Sequence, residues 1–130
     1  VEKYGTDYFD FKFENGEKEA LENVLNFDEN ARYIGEIALI SHDSPISNTN
    51  ILFLNTLFDE NASCHMALGR AYPMNIKNGH TTPIEELEKK GYNNSMTHVD
   101  FMFGSHDMKI VGTKQDGSEV LLFDKGNFVL

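Results

Sequence analysis

The stretch Thr97-His98-Val99-Asp100-Phe101-Met102-Phe103 commits any fold of this chain to a sheet. Side chains alternate across a strand, so His98 and Asp100 project from one face. Val99, Phe101 and Phe103 project from the other, where a core can bury them. An imidazole and a carboxylate held side by side on a rigid strand are a ready pair of ligands for a divalent metal ion. A half-exposed strand gives the same alternation with no ion present, so the rest of the chain has to decide between the two.

Further strands surround this one. Tyr8 to Phe13 alternates apolar and polar, and Asn15-Gly16 after it is a favoured hairpin turn. Tyr33-Ile34-Gly35-Glu36-Ile37-Ala38-Leu39-Ile40 is a strongly apolar strand with one charge in its middle. Ile51-Leu52-Phe53-Leu54 reads as a short buried element, and Cys64 to Gly69 as another short apolar run. Lys109 to Thr113 and Glu119 to Phe123 are strands joined through Asp116-Gly117, and Lys125-Gly126-Asn127 turns into Phe128-Val129-Leu130. Helices are few. Ala20, Leu21, Val24 and Leu25 have helical spacing between Lys18 and Asn26, and Asp28 caps a short turn through Arg32. Thr82-Pro83-Ile84-Glu85 predicts an N-cap, a proline at the first helical position and a capping box, with Gly91 ending that helix. Ser41 to Asn50, polar and containing Pro45, is expected as loop. The expected class is α+β, a mixed and largely antiparallel sheet with a few short helices, in a single domain over residues 1–130.

A chain of 130 residues can bury a real core. No apolar run reaches the ~18 residues of a membrane span, and the start at Val1 does not resemble a signal peptide. A start at Val rather than Met suggests a domain taken from a longer protein. One cysteine, Cys64, excludes an intrachain disulfide and fits a reducing cytoplasm. The formal charge of −10 disfavours nucleic-acid phosphates and is compatible with cation binding.

Glu36 is costly to bury as an ion among Ile34, Ile37, Leu39 and Ile40 unless a cation joins it, either a metal or an arginine such as Arg32 or Arg70. His65 lies in a similar apolar setting. Glu60, in a loop five residues earlier, could reach the same place. Cys64 and His65 are neighbours on a strand and point to opposite faces, which argues against a thiolate–imidazole pair. A nitrogen and oxygen donor set suits zinc, cobalt or manganese. A tyrosine hydroxyl such as that of Tyr72 can stabilise an oxyanion or relay a proton. His42, His80 and His106 lie in polar, turn-like surroundings and are expected to face solvent. A cluster richer in carboxylates than in histidines is typical of dinuclear hydrolase sites. No His-Glu-x-x-His helix, phosphate loop or Gly-x-Ser-x-Gly elbow is present.

Several long motifs, in order, carry a resemblance. Gly35-Glu36-Ile37-Ala38-Leu39, His42-Asp43-Ser44-Pro45-Ile46-Ser47, Asn55 to His65, Ala67-Leu68-Gly69-Arg70-Ala71-Tyr72-Pro73 and His98-Val99-Asp100-Phe101-Met102 resemble the C-terminal part of the aminopeptidase T / aminopeptidase S family of metallo-aminopeptidases. The resemblance runs from about Tyr8 to the end of the chain. It implies a cytoplasmic two-domain exopeptidase that removes N-terminal residues from peptides with two divalent ions (zinc, cobalt or manganese). The full-length protein would be a homodimer, with no nucleic-acid or membrane partner. Glu36, Glu60, His65, His98 and Asp100 match metal ligands, Glu36 being the one near both ions, and Glu36 and Tyr72 match residues that assist catalysis. A further ligand glutamate of the family lies upstream of the matched segment, outside these residues, so the resemblance leaves the isolated chain one ligand short of the full set that activity would need. A non-enzymatic metal-binding domain and an interaction domain are the other readings that the residues leave open.

Overall fold

The computed structural model describes residues 16–129. The strand expected at Tyr8 to Phe13 lies outside them. Among the described residues, four short helices are α1 (Glu17–Leu25), α2 (Pro45–Thr49), α3 (Thr56–Asp59) and α4 (Ile84–Lys89). The strands among them are β1 (Ile34–Ala38), β2 (His65–Gly69), β3 (His98–Met102), β4 (Ile110–Thr113), β5 (Glu119–Asp124) and β6 (Asn127–Phe128). They form two three-stranded sheets, ordered β1-β2-β3 and β4-β5-β6. The α+β class read from the sequence holds, with two small sheets where one was expected.

In the first sheet Gly69 N donates to Tyr33 O at 2.7 Å and Arg70 N to Thr97 O at 2.6 Å. The end of β2 therefore lies beside the beginnings of both β1 and β3, the antiparallel arrangement. The described residues form two compact units, the first comprising residues 16–37 with Met66–Asp100 and the second Ala38–His65 with residues 101–129.

The first unit buries Leu25 of α1, Ala31, Ala67 and Leu68 of β2, Leu87 of α4 and Tyr92. Asp28 caps the short turn Glu29–Arg32, as its position in the sequence predicts, by accepting from Asn30 N at 2.9 Å. Arg32 pairs with Glu22 at 2.8 Å and also donates to Asn26, so it is committed to α1. Gly16 adopts a left-handed conformation at the start of α1. Thr82 is not the cap of α4: Pro83 occupies that place with no side-chain cap, because the Thr82 hydroxyl donates instead to Asn78 O at 2.8 Å.

The second unit is built on the antiparallel β4-β5-β6 sheet, with Ile110 opposite Phe123, Thr113 opposite Glu119, and Phe123 opposite Phe128. Phe123 is fully buried and packs 4.2 Å from the Phe128 ring. Two expectations fail here. Ser41 to Asn50 contains α2, capped by Ser44 Oγ accepting from Ser47 N at 3.1 Å, with Pro45 in the first turn. That is the serine–proline start signal, overridden in the reading by the polar composition. Ile51-Leu52-Phe53-Leu54 is neither buried nor regular: Leu52 is 73% and Leu54 87% exposed. The Asp59 carboxylate takes the N–H groups of Phe53 and Asn55 at 2.8 and 2.9 Å, bonds that a sheet partner would otherwise make.

Leu54 also has φ +55, a left-handed conformation costing ~1–2 kcal/mol for a residue with a Cβ. Leu54→Gly is expected to raise unfolding free energy by ~0.5–1 kcal/mol, after the ~0.5–1 kcal/mol entropic cost of glycine. Urea midpoints of the two proteins check this.

Candidate metal centre

The alternation in β3 brings His98 and Asp100 together as the sequence predicts. His98 Nε2 lies 3.3 Å from Asp100 Oδ1, with the side chains 22% and 11% exposed. Glu36, on β1, meets the same imidazole, its Oε2 standing 3.6 Å from His98 Nε2. Of the two arginines considered for Glu36, Arg32 pairs with Glu22 and the Arg70 guanidinium donates to Ser95 O at 3.1 Å. The Tyr72 ring is half-exposed and packs edge-on against the His98 ring, centroids 5.3 Å apart.

Hydrogen bonding fixes the chemistry of this imidazole. His98 Nδ1 lies 2.7 Å from the Arg70 carbonyl oxygen. A carbonyl only accepts, so Nδ1 carries the proton, and neutral His98 presents a lone pair at Nε2. That lone pair faces two carboxylate oxygens. Asp100 Oδ1 is buried and has no hydrogen-bond partner, since His98 Nε2 is within ion-pair range but not in hydrogen-bond geometry. Electron-rich atoms this close are stabilised by positive charge, which a divalent metal ion or a proton on Nε2 would supply. Two ligands each ~2.1 Å from a tetrahedral zinc stand ~3.4 Å apart, and the two separations at Nε2 bracket that value.

His65 is arranged in the same way. It is 2% exposed, and its Nδ1 lies 3.1 Å from Ser63 O, so Nδ1 carries the proton of the neutral ring. Neighbouring Cys64 turns elsewhere, its Sγ lying 3.2 Å from both N and O of Ile40, as strand alternation requires. Glu60 follows α3 in a short 3-10 turn. Glu60 and His65 both belong to the second unit, Glu60 in the turn just ahead of β2 and His65 at its first position. His42, His80 and His106 are exposed, as expected.

What the sequence reading missed is the polar support behind His98. Asp28 Oδ2 accepts from Ser95 Oγ at 2.9 Å and from Met96 N at 2.8 Å. Asn93 Nδ2 donates to Asn30 O and Tyr33 O at 3.1 and 3.0 Å, and Asn93 Oδ1 accepts from Ser95 N. Asp28 was readable as a cap. Its second role depends on residues 67 and 68 positions away, which no local pattern reveals.

Burial works to raise the Asp28 carboxyl, and hydrogen bonds from Met96, Ser95, Asn30 and Ala31 outweigh it, holding the group below its ordinary 3.8. A depressed folded pKa means that the unfolded chain takes up protons first. The contribution is complete above 3.8 and vanishes as pH falls through the lower folded value. Asp107 and Asp116 are lowered too, by Ser105 and Ser118 hydroxyls first. Subtracting an Asp28→Asn variant isolates Asp28: its urea midpoint is expected to fall less than that of the wild type between about pH 5 and pH 3.

Within the first unit, a small α+β scaffold brings His98, Asp100 and Glu36 to one position, the imidazole oriented by a backbone carbonyl, a donor set of the kind metalloproteins use. The match to the thermophilic metalloprotease family M29, over residues 9–128, makes the assignment specific. This chain belongs to that family. It is 51% identical over 119 residues to aminopeptidase 2 of Geobacillus stearothermophilus, covering 92% of this chain and 29% of that protein. It is 53% identical to aminopeptidase AmpS of Bacillus subtilis (strain 168), again over 92% of this chain and 29% of the relative. The solved structure of wild-type AmpT from Thermus thermophilus matches with TM-score 0.75 and 43% identity, covering 86% of this chain and 27% of that one. The chain therefore spans less than a third of the length of these relatives. No helix among the described residues is long and apolar enough to cross a membrane.

Proposed function

We propose that this chain is the C-terminal metal-binding part of a longer two-domain aminopeptidase, which removes N-terminal residues from peptides. The observation that carries the reading is the His98 imidazole, held by the Arg70 carbonyl so that its Nε2 lone pair faces Asp100 and Glu36. Relatives named aminopeptidases across the matched region support the substrate class.

His98, Asp100 and Glu36 would hold one divalent ion, and Glu60 and His65 match ligands for a second. Zinc, cobalt and manganese all suit such nitrogen and oxygen donors. Bound there, the ions supply Lewis-acid polarisation of the scissile carbonyl and of the attacking water. Glu36, beside both the imidazole and solvent, accepts the proton of that water at a carboxylate oxygen and returns it to the departing amine. Tyr72, packed on His98, offers its hydroxyl to the oxyanion that develops as the carbonyl is attacked, an interaction strongest in the transition state. Asp100, one oxygen buried and without a hydrogen-bond partner, presents a carboxylate oxygen to the same ion from the same strand. The reading extends to a cytoplasmic homodimer acting on peptides.

The test is hydrolysis of an aminoacyl chromogenic substrate by the full-length protein, before and after chelation. Activity that disappears with chelator and returns with zinc, cobalt or manganese is expected. Activity indifferent to chelator would overturn the reading, and metal binding with no hydrolysis would leave only a metal-binding domain.

A further inference from the structure

We propose that Asp28 is a positioning residue for the metal centre: its carboxylate sets the direction of a hydrogen-bond relay that places His98 against the Arg70 carbonyl. The inference rests on the metal-centre reading above and extends it to a residue that touches none of the candidate ligands.

The relay runs through Ser95, which is wholly buried. A serine hydroxyl has one proton, and Ser95 gives it to Asp28 Oδ2 at 2.9 Å. Its oxygen is then purely an acceptor on the other side. It takes the Thr97 N–H at 3.1 Å and lies 3.0 Å from the Thr97 hydroxyl, which must be the donor of that pair. Met96 N, also bound to Asp28, fixes the residue between them. The segment so held meets Arg70 twice, through Thr97 O with Arg70 N at 2.6 Å and through Ser95 O with Arg70 Nη1 at 3.1 Å. Arg70 in turn offers its carbonyl to His98 Nδ1. Asp28 thereby acts on the group that sets the tautomer of the imidazole.

Without the Asp28 acceptor, the Ser95 proton has to turn toward Thr97, where a donor already points at it. The relay loses its direction and the 95–97 segment its hold on Arg70. Partners that orient a ligating histidine are worth ~10–100-fold in metal affinity.

Zinc affinity of the full-length protein, measured by competition with a chromophoric chelator, tests this in Asp28→Ala, Asp28→Asn and Ser95→Ala, alongside urea midpoints of the metal-free forms. Asp28→Ala and Ser95→Ala are expected to bind zinc about tenfold more weakly or worse. Asp28→Asn, which keeps one carbonyl oxygen as acceptor, should recover part of the loss. Should Asp28→Ala fail to fold, Asp28→Asn carries the test, with a smaller but measurable weakening. Wild-type affinity in variants that are merely less stable would reduce Asp28 to a structural cap and overturn the proposal. A wild type that binds no zinc would instead overturn the metal-centre reading, and this proposal with it.

Discussion

His98→Ala is expected to lower kcat/KM on an aminoacyl substrate about 10³-fold in the full-length protein, ~4 kcal/mol of transition-state stabilisation. The imidazole contributes the nitrogen that faces Asp100 Oδ1 at 3.3 Å and Glu36 Oε2 at 3.6 Å. Its loss leaves two carboxylates sharing the position with one neutral donor fewer, which weakens the cation they hold. The same substitution should cost little stability in chelator, since the side chain is 22% exposed and its absence relieves an electron-rich crowd. That divergence, activity lost and metal-free stability kept, separates a ligand from a structural histidine. Asp100→Ala should behave alike, because Asp100 Oδ1 has no hydrogen bond to lose. Steady-state kinetics on metal-saturated protein, with urea denaturation in chelator beside it, measures both sides.

Gly69→Ala carries the largest expected effect on stability. Gly69 ends β2 with φ +95, and a Cβ there would collide with the carbonyl oxygen and carbon of Thr97. The neighbouring atoms are backbone, so they cannot rotate away. Gly35, beside Glu36, is as tight: a Cβ there would meet the carbonyl of Gly69 and the backbone of Arg70. The backbones approach this closely because Gly69 N bonds Tyr33 O and Arg70 N bonds Thr97 O. Positive-φ strain of ~1–3 kcal/mol and overpacking of ~1–3 kcal/mol together reach ~3 kcal/mol or more, a large share of the ~5–15 kcal/mol that holds a domain folded. The expected result is a strongly lowered urea midpoint or loss of soluble protein. A midpoint within ~1 kcal/mol of wild type would mean that β2 and β3 can separate here at little cost.

Alternation in Thr97–Phe103 is a local signal, and it placed His98 and Asp100 on one face. The charge of Glu36 inside an apolar run marked it without any partner in view. The contacts that give those side chains their chemistry are long-range: Arg70 is 28 residues from His98, and Asp28 is 67 from Ser95. A backbone carbonyl leaves no trace in side-chain pattern, so neither orienting group was legible. Ile51–Leu54 was misread because a short apolar run looks alike whether it is buried or left on the surface. Pro45 in a polar stretch signals loop, but after Ser44 the same proline starts a helix. Thr82 matched a cap pattern and lost its hydroxyl to Asn78, a competition that only the folded turn decides.

The central claim is that His98, Asp100, Glu36, His65 and Glu60 hold divalent metal. Anomalous scattering from crystals of the full-length protein soaked in zinc tests it directly. The account predicts peaks within ~2.0–2.2 Å of the Nε2 atoms of His98 and His65 and of oxygens of Asp100, Glu36 and Glu60. Maps with no anomalous density at these side chains, from crystals of protein active on an aminoacyl substrate, would contradict it.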